Sequence, residues 1–141
     1  MKTQNLKFGE AVKTLANFAG MQPYTFSKQD EEREKNWKEY KSIFSRYVEK
    51  YHDELFKNPN AEIAKNYIKS RNLTAEEVKK FKIGFVTNNQ NTFEEFSKNF
   101  DKKILKETGL FYFDDKKNKF IERFKDRVIF PINNISGDPI G

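Results

Sequence analysis

The 141-residue sequence has no cysteine, one histidine and only six glycines. Without cysteine there can be no disulfide framework, no thiolate nucleophile and no thiolate-bound metal. The lone histidine, His52, has no partner for a multi-histidine metal site and is expected as a surface or boundary residue. The sparse glycines form neither a phosphate-binding loop nor a nucleophile elbow. No run approaches the roughly 20 apolar residues that a bilayer span needs. The opening MKTQNLKFGE also lacks the apolar segment of a secretory signal. A cytoplasmic chain with no membrane partner is therefore expected.

Large rings carry the apolar surface. Hydrophobic residues make up 36% of the chain but aromatics 16%, with 15 Phe and 6 Tyr, enough to build one core. Twenty-seven Lys and Arg oppose 21 Asp and Glu, for a net charge of +6, which tilts the partner towards nucleic acid or another polyanion.

Periodicity orders the chain as helices followed by strands. Phe8, Val12, Leu15, Ala16 and Ala19 share a helical face that Gly20 closes. Residues 22–33, with Pro23 and mixed charges, read as a linker. From about Glu34, the residues Trp37, Tyr40, Phe44, Tyr47, Val48, Tyr51 and Leu55 predict a long helix with a buried aromatic stripe. Ile63, Ala64, Tyr67 and Ile68 predict a shorter helix ending near Arg71. Thr74 with Glu77 forms a capping box, and Leu73 with Val78 a hydrophobic staple, for a third helix that stops at Phe81. KIGFV reads as a strand before the turn TNNQN, and Thr92 with Glu95 suggests a second capping box. The face of Phe93, Phe96 and Phe100, continued by Ile104 and Leu105, runs helically towards Gly109. GLFYF, KFI and RVIFPI then read as strands, the last the strongest and buried. The final PIG is too short to pair, which suggests that a sheet is cut off there. The fold class expected is α+β, with a helical amino-terminal part and a small, mainly antiparallel sheet incomplete at the carboxyl end.

In an extended chain, side chains two residues apart share a face at intervals of roughly 6.6 to 6.8 Å. Arg123, Lys125 and Arg127 would form a cationic ladder of that kind, anchored to the core by Val128, Ile129, Phe130 and Ile132. From Lys116 to Arg127 six basic residues oppose two acidic ones. Such a ladder suits a phosphate backbone, but it equally suits a solvated strand edge. Arg71, at a helix end, can reach a phosphate or cap the helix. Lys98, Lys102, Lys103 and Lys106 read as a solvated helix face. Asp114 and Asp115 sit side by side in a turn and would point apart, so they do not suggest a two-metal site. No catalytic residue and no metal ligand is expected in this chain.

Four of these stretches, taken in order, resemble the bacterial primase that makes RNA primers for DNA replication. ERFKDRVIFPI matches that family through Arg123, Phe124, Arg127, Val128, Phe130, Pro131 and Ile132, followed by Gly137, Ile140 and Gly141 of a glycine hairpin. YIKSRNLTAEEVKKFKIGFV matches through Tyr67, Arg71, Leu73, Glu77, Phe81, Ile83 and Gly84. KETGL stands where the family has a similar turn. FGEAVKTLANFAGM is similar to the helix closing the family's zinc-binding domain, so the likeness runs from about Leu6 to Gly141. Departures fall at Ile121, Glu122, Lys125, Asp138 and Pro139. Lys125 keeps a charge but loses a planar fork.

The resemblance implies a primase fragment: residues 1–21 the end of a zinc-binding domain, 22–33 a linker, and 34–141 the amino-terminal subdomain of the RNA polymerase core. It implies a DNA-directed RNA polymerase whose Mg2+ and Zn2+ are bound outside this chain. The implied partners are single-stranded DNA template and RNA–DNA hybrid, with a replicative helicase reached through a missing carboxyl-terminal domain. The chain is expected to be a monomer. The residues carried over as nucleic-acid contacts are Arg71, Arg123, Lys125 and Arg127. Two alternatives remain open, a non-catalytic basic interaction module and the primase part of a phage or plasmid primase–helicase.

Overall fold

A computed structural model describes residues 8–22, 27–88 and 91–141. Leu6, Pro23, Asn89 and Gln90, which figure in the expectations above, lie outside the described residues. The chain divides into two compact units, Met1–Lys35 and Asn36–Gly141.

In the first unit, α1 spans Phe8–Phe18. It ends as the glycine demands. Gly20 sits at φ 66°, the Met21 amide donates to Ala16 O at 2.9 Å, and the Gly20 amide donates to Asn17 O at 3.2 Å. Leu15, placed on the apolar face by its spacing, is exposed.

The long helix α2 spans Lys28–Lys57, so it begins inside the stretch expected as linker rather than near Glu34. The reason is local. Ser27 and Asp30 cap each other's amides, Ser27 N to Asp30 Oδ2 at 3.0 Å and Asp30 N to Ser27 Oγ at 3.2 Å, a capping box with Asp in place of Glu.

In the second unit, α2 buries Ile43, Tyr47, Val48, Tyr51 and Leu55. Ile43, Tyr47, Tyr51 and Leu55 follow one another at four-residue steps and form a single row along the helix. Trp37, expected in the stripe, is 49% exposed instead. A 3-10 turn, Pro59–Ala61, leads into α3, Glu62–Ser70, which buries Ala64 and Ile68 and leaves Ile63 and Tyr67 exposed. The Thr74–Glu77 capping box opens α4, Ala75–Lys80, and Leu73 packs with Val78 in one cluster. Phe81 ends α4 as expected.

Strand β1 is Gly84–Val86, buried throughout. Two short helices follow, α5 at Thr92–Phe96 and α6 at Lys102–Glu107, the second capped by Asp101. The expected second capping box is absent. The N-cap of α5 is Asn91, which makes no side-chain cap bond, and the Thr92 hydroxyl is engaged in the interior. Strands β2, Phe111–Asp114, and β3, Lys119–Glu122, form an antiparallel hairpin in the register Tyr112 to Ile121 and Phe113 to Phe120. Strand β4, Arg127–Ile129, pairs antiparallel with β1, Val86 facing Arg127. The α+β class holds, with the strands in two separate pairs, β1–β4 and β2–β3.

Two apolar clusters share α2. One gathers Ile43, Tyr47, Tyr51, Val86, Phe96, Leu105 and Phe111 with their neighbours, and the other gathers Leu55, Ala64, Ile68, Val78, Ile83 and Phe85. Rings meet edge to face in the first, Tyr47 with Tyr51 at 4.6 Å and Phe93 with Phe111 at 5.3 Å.

The segment after β4 departs from expectation twice. Phe130, at 54%, and Ile132 are exposed, so RVIFPI is a three-residue strand in which Val128 and Ile129 are half-buried and Arg127 is exposed. The closing residues do pair. Asn133 bridges Pro139, the Ile140 amide donates to Ile132 O at 2.8 Å, and the Ile132 amide donates to Gly141 O at 2.7 Å. Asn134 makes this hairpin possible, because its Oδ1 accepts from the Ser136 and Asp138 amides, both at 2.9 Å. Asp138 is also held to α2 by Lys41, at 2.5 Å.

Gly84 fixes how closely β1 approaches α2. A Cβ there would lie 2.8 Å from the Tyr51 carbonyl carbon and 3.0 Å from the His52 amide nitrogen. Those are backbone atoms and cannot rotate aside. Gly84→Ala should therefore destabilise the chain by about 1–3 kcal/mol, the usual cost of overpacking. A lowered denaturant midpoint with unchanged slope would show it.

Candidate nucleic-acid interface

The four residues expected to contact nucleic acid lie in different surroundings. Arg71 is the C-cap of α3, its amide turned back to Tyr67 O and Ile68 O, and its exposed guanidinium lies 5.9 Å from the Tyr67 ring centroid. It caps with its backbone, which leaves the side chain available.

Arg123, Lys125 and Arg127 do not form a continuous ladder. β3 ends at Glu122 and β4 begins at Arg127, and between them Asp126 turns the backbone to φ 51°. The left-handed residue breaks the two-residue alternation on which a ladder depends. Arg123 Nε donates to Gly109 O at 2.8 Å, and its guanidinium lies 5.9 Å from the Tyr112 ring. Arg127 lines an apolar cavity of about 270 Å³ with Phe44, Phe124 and Phe130. Lys125 lines another, of about 420 Å³, along the free edge of β3.

That edge cavity adds cations that the sequence reading left unassigned. Lys117 and Lys119 line it with Lys125, together with Asn88, Asn91, the ring of Phe120 and the carboxylates of Glu94, which is exposed, and Glu122, which is buried. None of Arg71, Lys117, Lys119, Arg123, Lys125 and Arg127 forms an ion pair among the described residues. Of the lysine group on α6 and before it, Lys106 sits 4.7 Å above the Phe120 ring.

Beneath the cavity lies a buried polar cluster that the sequence did not announce. Glu122 is 3% exposed and accepts hydrogen bonds from the Tyr51 hydroxyl and from Thr92 Oγ1, the latter at 3.0 Å. Tyr51 Oη and Thr92 Oγ1 lie 2.7 Å apart. Burial raises the Glu122 carboxyl above its ordinary value, against the lowering effect of these hydroxyls and of Lys50. Burial and the Glu122 charge in turn push both Tyr51 and Tyr47 up, and the Tyr47 hydroxyl has no well-formed hydrogen bond. Glu122 is one of the departures from the family pattern, and that was its only signal. Its oxygens are occupied, so it joins α2, α5 and β3 as a structural tie.

Among the described residues, no group of three or more His, Asp or Glu side chains is placed to hold a metal ion. Asp114 Oδ1 accepts from the amides of Lys116 and Lys117, at 3.0 and 3.2 Å, and so shapes the β2–β3 turn. His52 is not a bare boundary residue: its Nδ1 is 2.8 Å from Ile83 O.

Residues 50–141 match the family profile described as DNA primase catalytic core, N-terminal domain. The chain belongs to this family. It is 34% identical over 137 residues to the DNA primase of Lactococcus lactis subsp. lactis, covering 95% of this chain and 21% of that protein. It is 38% identical over 91 residues to the DNA primase of Helicobacter pylori, covering 64% of this chain and 16% of that one. The fold is similar to a DnaG primase catalytic domain bound to single-stranded DNA, with a TM-score of 0.68 and 27% identity over 75% of this chain and 34% of that one. The chain thus spans about a fifth of the length of the curated primases that it matches. No described helix is long and apolar enough to cross a membrane.

For a primase-core domain, the tie at Glu122 should make stability depend on pH. A carboxyl whose folded value is raised favours folding in its protonated form. That contribution is fully present below about pH 4.5, the ordinary value, and is lost as pH rises through the raised one. Glu122→Gln keeps the shape and removes the titration. The stability of wild type relative to Glu122→Gln should therefore fall between acid and neutral pH, as read by denaturant midpoints at a series of pH values.

Proposed function

We propose that this chain is the amino-terminal part of the RNA polymerase core of a primase, and that it binds and positions the single-stranded DNA template and the short primer hybrid. The observation that carries this reading is the family match, joined to fold similarity with a primase domain bound to single-stranded DNA. Exposed and half-buried cations that form no ion pair among the described residues supply the chemistry. Arg71, Arg123, Lys125 and Arg127 are the proposed contacts.

On this reading residues 1–21 close a zinc-binding domain, and residues 22–33 connect it to the polymerase subdomain of residues 34–141. The connection becomes helical from Lys28. The parent enzyme is a DNA-directed RNA polymerase acting at the replication fork. Its Mg2+ and Zn2+ would be held by residues outside this chain, and a replicative helicase would be engaged by another part of the parent. This segment would act as a monomer. It contributes binding and orientation, because phosphate contacts fix register without reading sequence.

The geometry makes the grip a set of separate points. Arg71, Lys125 and Arg127 can each meet a phosphate without disturbing the packing, whereas Arg123 also holds the Gly109 carbonyl. Replacing Arg71, Lys125 and Arg127 together by alanine should weaken binding to a short single-stranded DNA. It should also flatten the plot of log affinity against log salt by about 0.7 for each phosphate that is no longer neutralised. Fluorescence anisotropy at several salt concentrations measures both. Unchanged affinity and slope in a variant with native circular dichroism would place the grip elsewhere.

A further inference from the structure

The β2–β3 hairpin exposes rings where a packed sheet would bury them. Tyr112 is 41% and Phe113 44% exposed. Neighbours along a strand point to opposite faces, so the two rings serve different surfaces. Phe113 meets Phe120 edge-on at 5.1 Å, and Phe120 stacks on Phe93 at 4.6 Å, so Phe113 is the outer end of a chain of rings leading to the core. Tyr112 has no such continuation. It stands opposite Ile121, with Asp114 and Lys119 on the next rung of the same face, and among the described residues no ring packs on it. Its neighbour is a cation, the Arg123 guanidinium.

Arg123 has a fixed position there. Its Nε is bonded to Gly109 O, and its own amide donates to Leu110 O at 2.9 Å, so backbone and side chain are both tied to the start of β2. A guanidinium offers five N–H donors, and this bond uses one. The remaining donors and the adjacent ring are open to solvent. On the same hairpin, Lys117, Lys119 and Lys125 line the edge cavity, which does not include Tyr112 or Arg123 and which Glu94 also lines. Of the two acids in the stretch from Lys116 to Arg127, Glu122 is buried, so the surface presents six cations and one carboxylate, Asp126.

An open ring beside a fixed guanidinium, on a hairpin whose other edge carries lysines, is a combination that binds unpaired nucleic acid. Bases stack on the ring while cations follow the phosphates. We infer that Tyr112 is a base-stacking platform for single-stranded nucleic acid, with Arg123 and the lysines of the hairpin edge as its phosphate contacts. This inference deepens the nucleic-acid reading above and rests on it. It adds an aromatic contact to a set that otherwise consists only of charges. Sequence tolerance follows, because every base has a face that can stack.

The test uses the whole chain with a short oligothymidine carrying one 2-aminopurine, in parallel with Tyr112→Ala and Tyr112→Phe. Binding should quench the 2-aminopurine in wild type and in Tyr112→Phe, but not in Tyr112→Ala. Affinity should fall about 5- to 100-fold in Tyr112→Ala, the usual worth of one stacked base, with the salt slope unchanged. Retained quenching and affinity in a folded Tyr112→Ala would overturn the platform while leaving the charged contacts standing. An acidic peptide of equal charge that binds as tightly, and loses as much on Tyr112→Ala, would also overturn base stacking. Absence of any oligonucleotide binding by the wild-type chain at low salt would overturn both this inference and the reading on which it rests.

Discussion

The larger unit is organised by the backbone contact between Gly84 and the turn of α2 at Tyr51 and His52. No side chain separates β1 from the helix at that point, so strand and helix lie closer than side-chain packing alone would allow. Several other features depend on the same turn. The Tyr51 hydroxyl reaches Thr92 and Glu122, which brings the start of α5 and the end of β3 to the helix. The Tyr51 ring packs on Tyr47, which in turn meets Phe96 and Phe111. One residue thus links a steric constraint on one side with a polar tie on the other. β4 is placed in consequence, since among the described residues it pairs only with β1.

This arrangement decides where the cations can go. Glu122 ends β3 facing inwards, and Arg127 opens β4 beside Val86, so the four residues between them must carry the chain from one strand pair to the other. Asp126 makes that passage in the left-handed region, which aspartate tolerates better than most residues. A continuous strand would have set three cations on one face. The passage distributes them instead over the hairpin face, the edge cavity and the apolar cavity near Phe130.

The sequence made the helical part legible wherever its signals were local. The Thr74–Glu77 box, the Gly20 stop and the apolar row of α2 each depend on residues within a few positions of one another, and each stands in the structure where its spacing puts it. Trp37 shows the limit of that logic, because periodicity places a residue on a face without saying whether anything covers the face. Thr92 was misread because a capping box and a buried hydroxyl tie use the same residue type. What decided between them was Glu122, thirty positions away. The ladder failed for the opposite reason. Alternate spacing was correct as counted, but one left-handed residue broke the extension that gives spacing its meaning. The terminal hairpin escaped because an Asn134 side chain replaced the strand length that pairing ordinarily requires. The family resemblance, carried by motifs in order, was more informative about identity than any one of these local readings was about structure.

The two ties flanking Tyr51 are of different kinds. A backbone carbonyl can only accept a hydrogen bond, so the contact of His52 with Ile83 fixes the imidazole proton on Nδ1. The junction between α2 and the entry to β1 is thus a bond to a backbone oxygen, which does not titrate, while the junction through Glu122 changes its hydrogen-bonding character when its carboxyl is protonated. A shift in pH through the range of that carboxyl would therefore be felt at β3, the strand paired with the one that carries Tyr112.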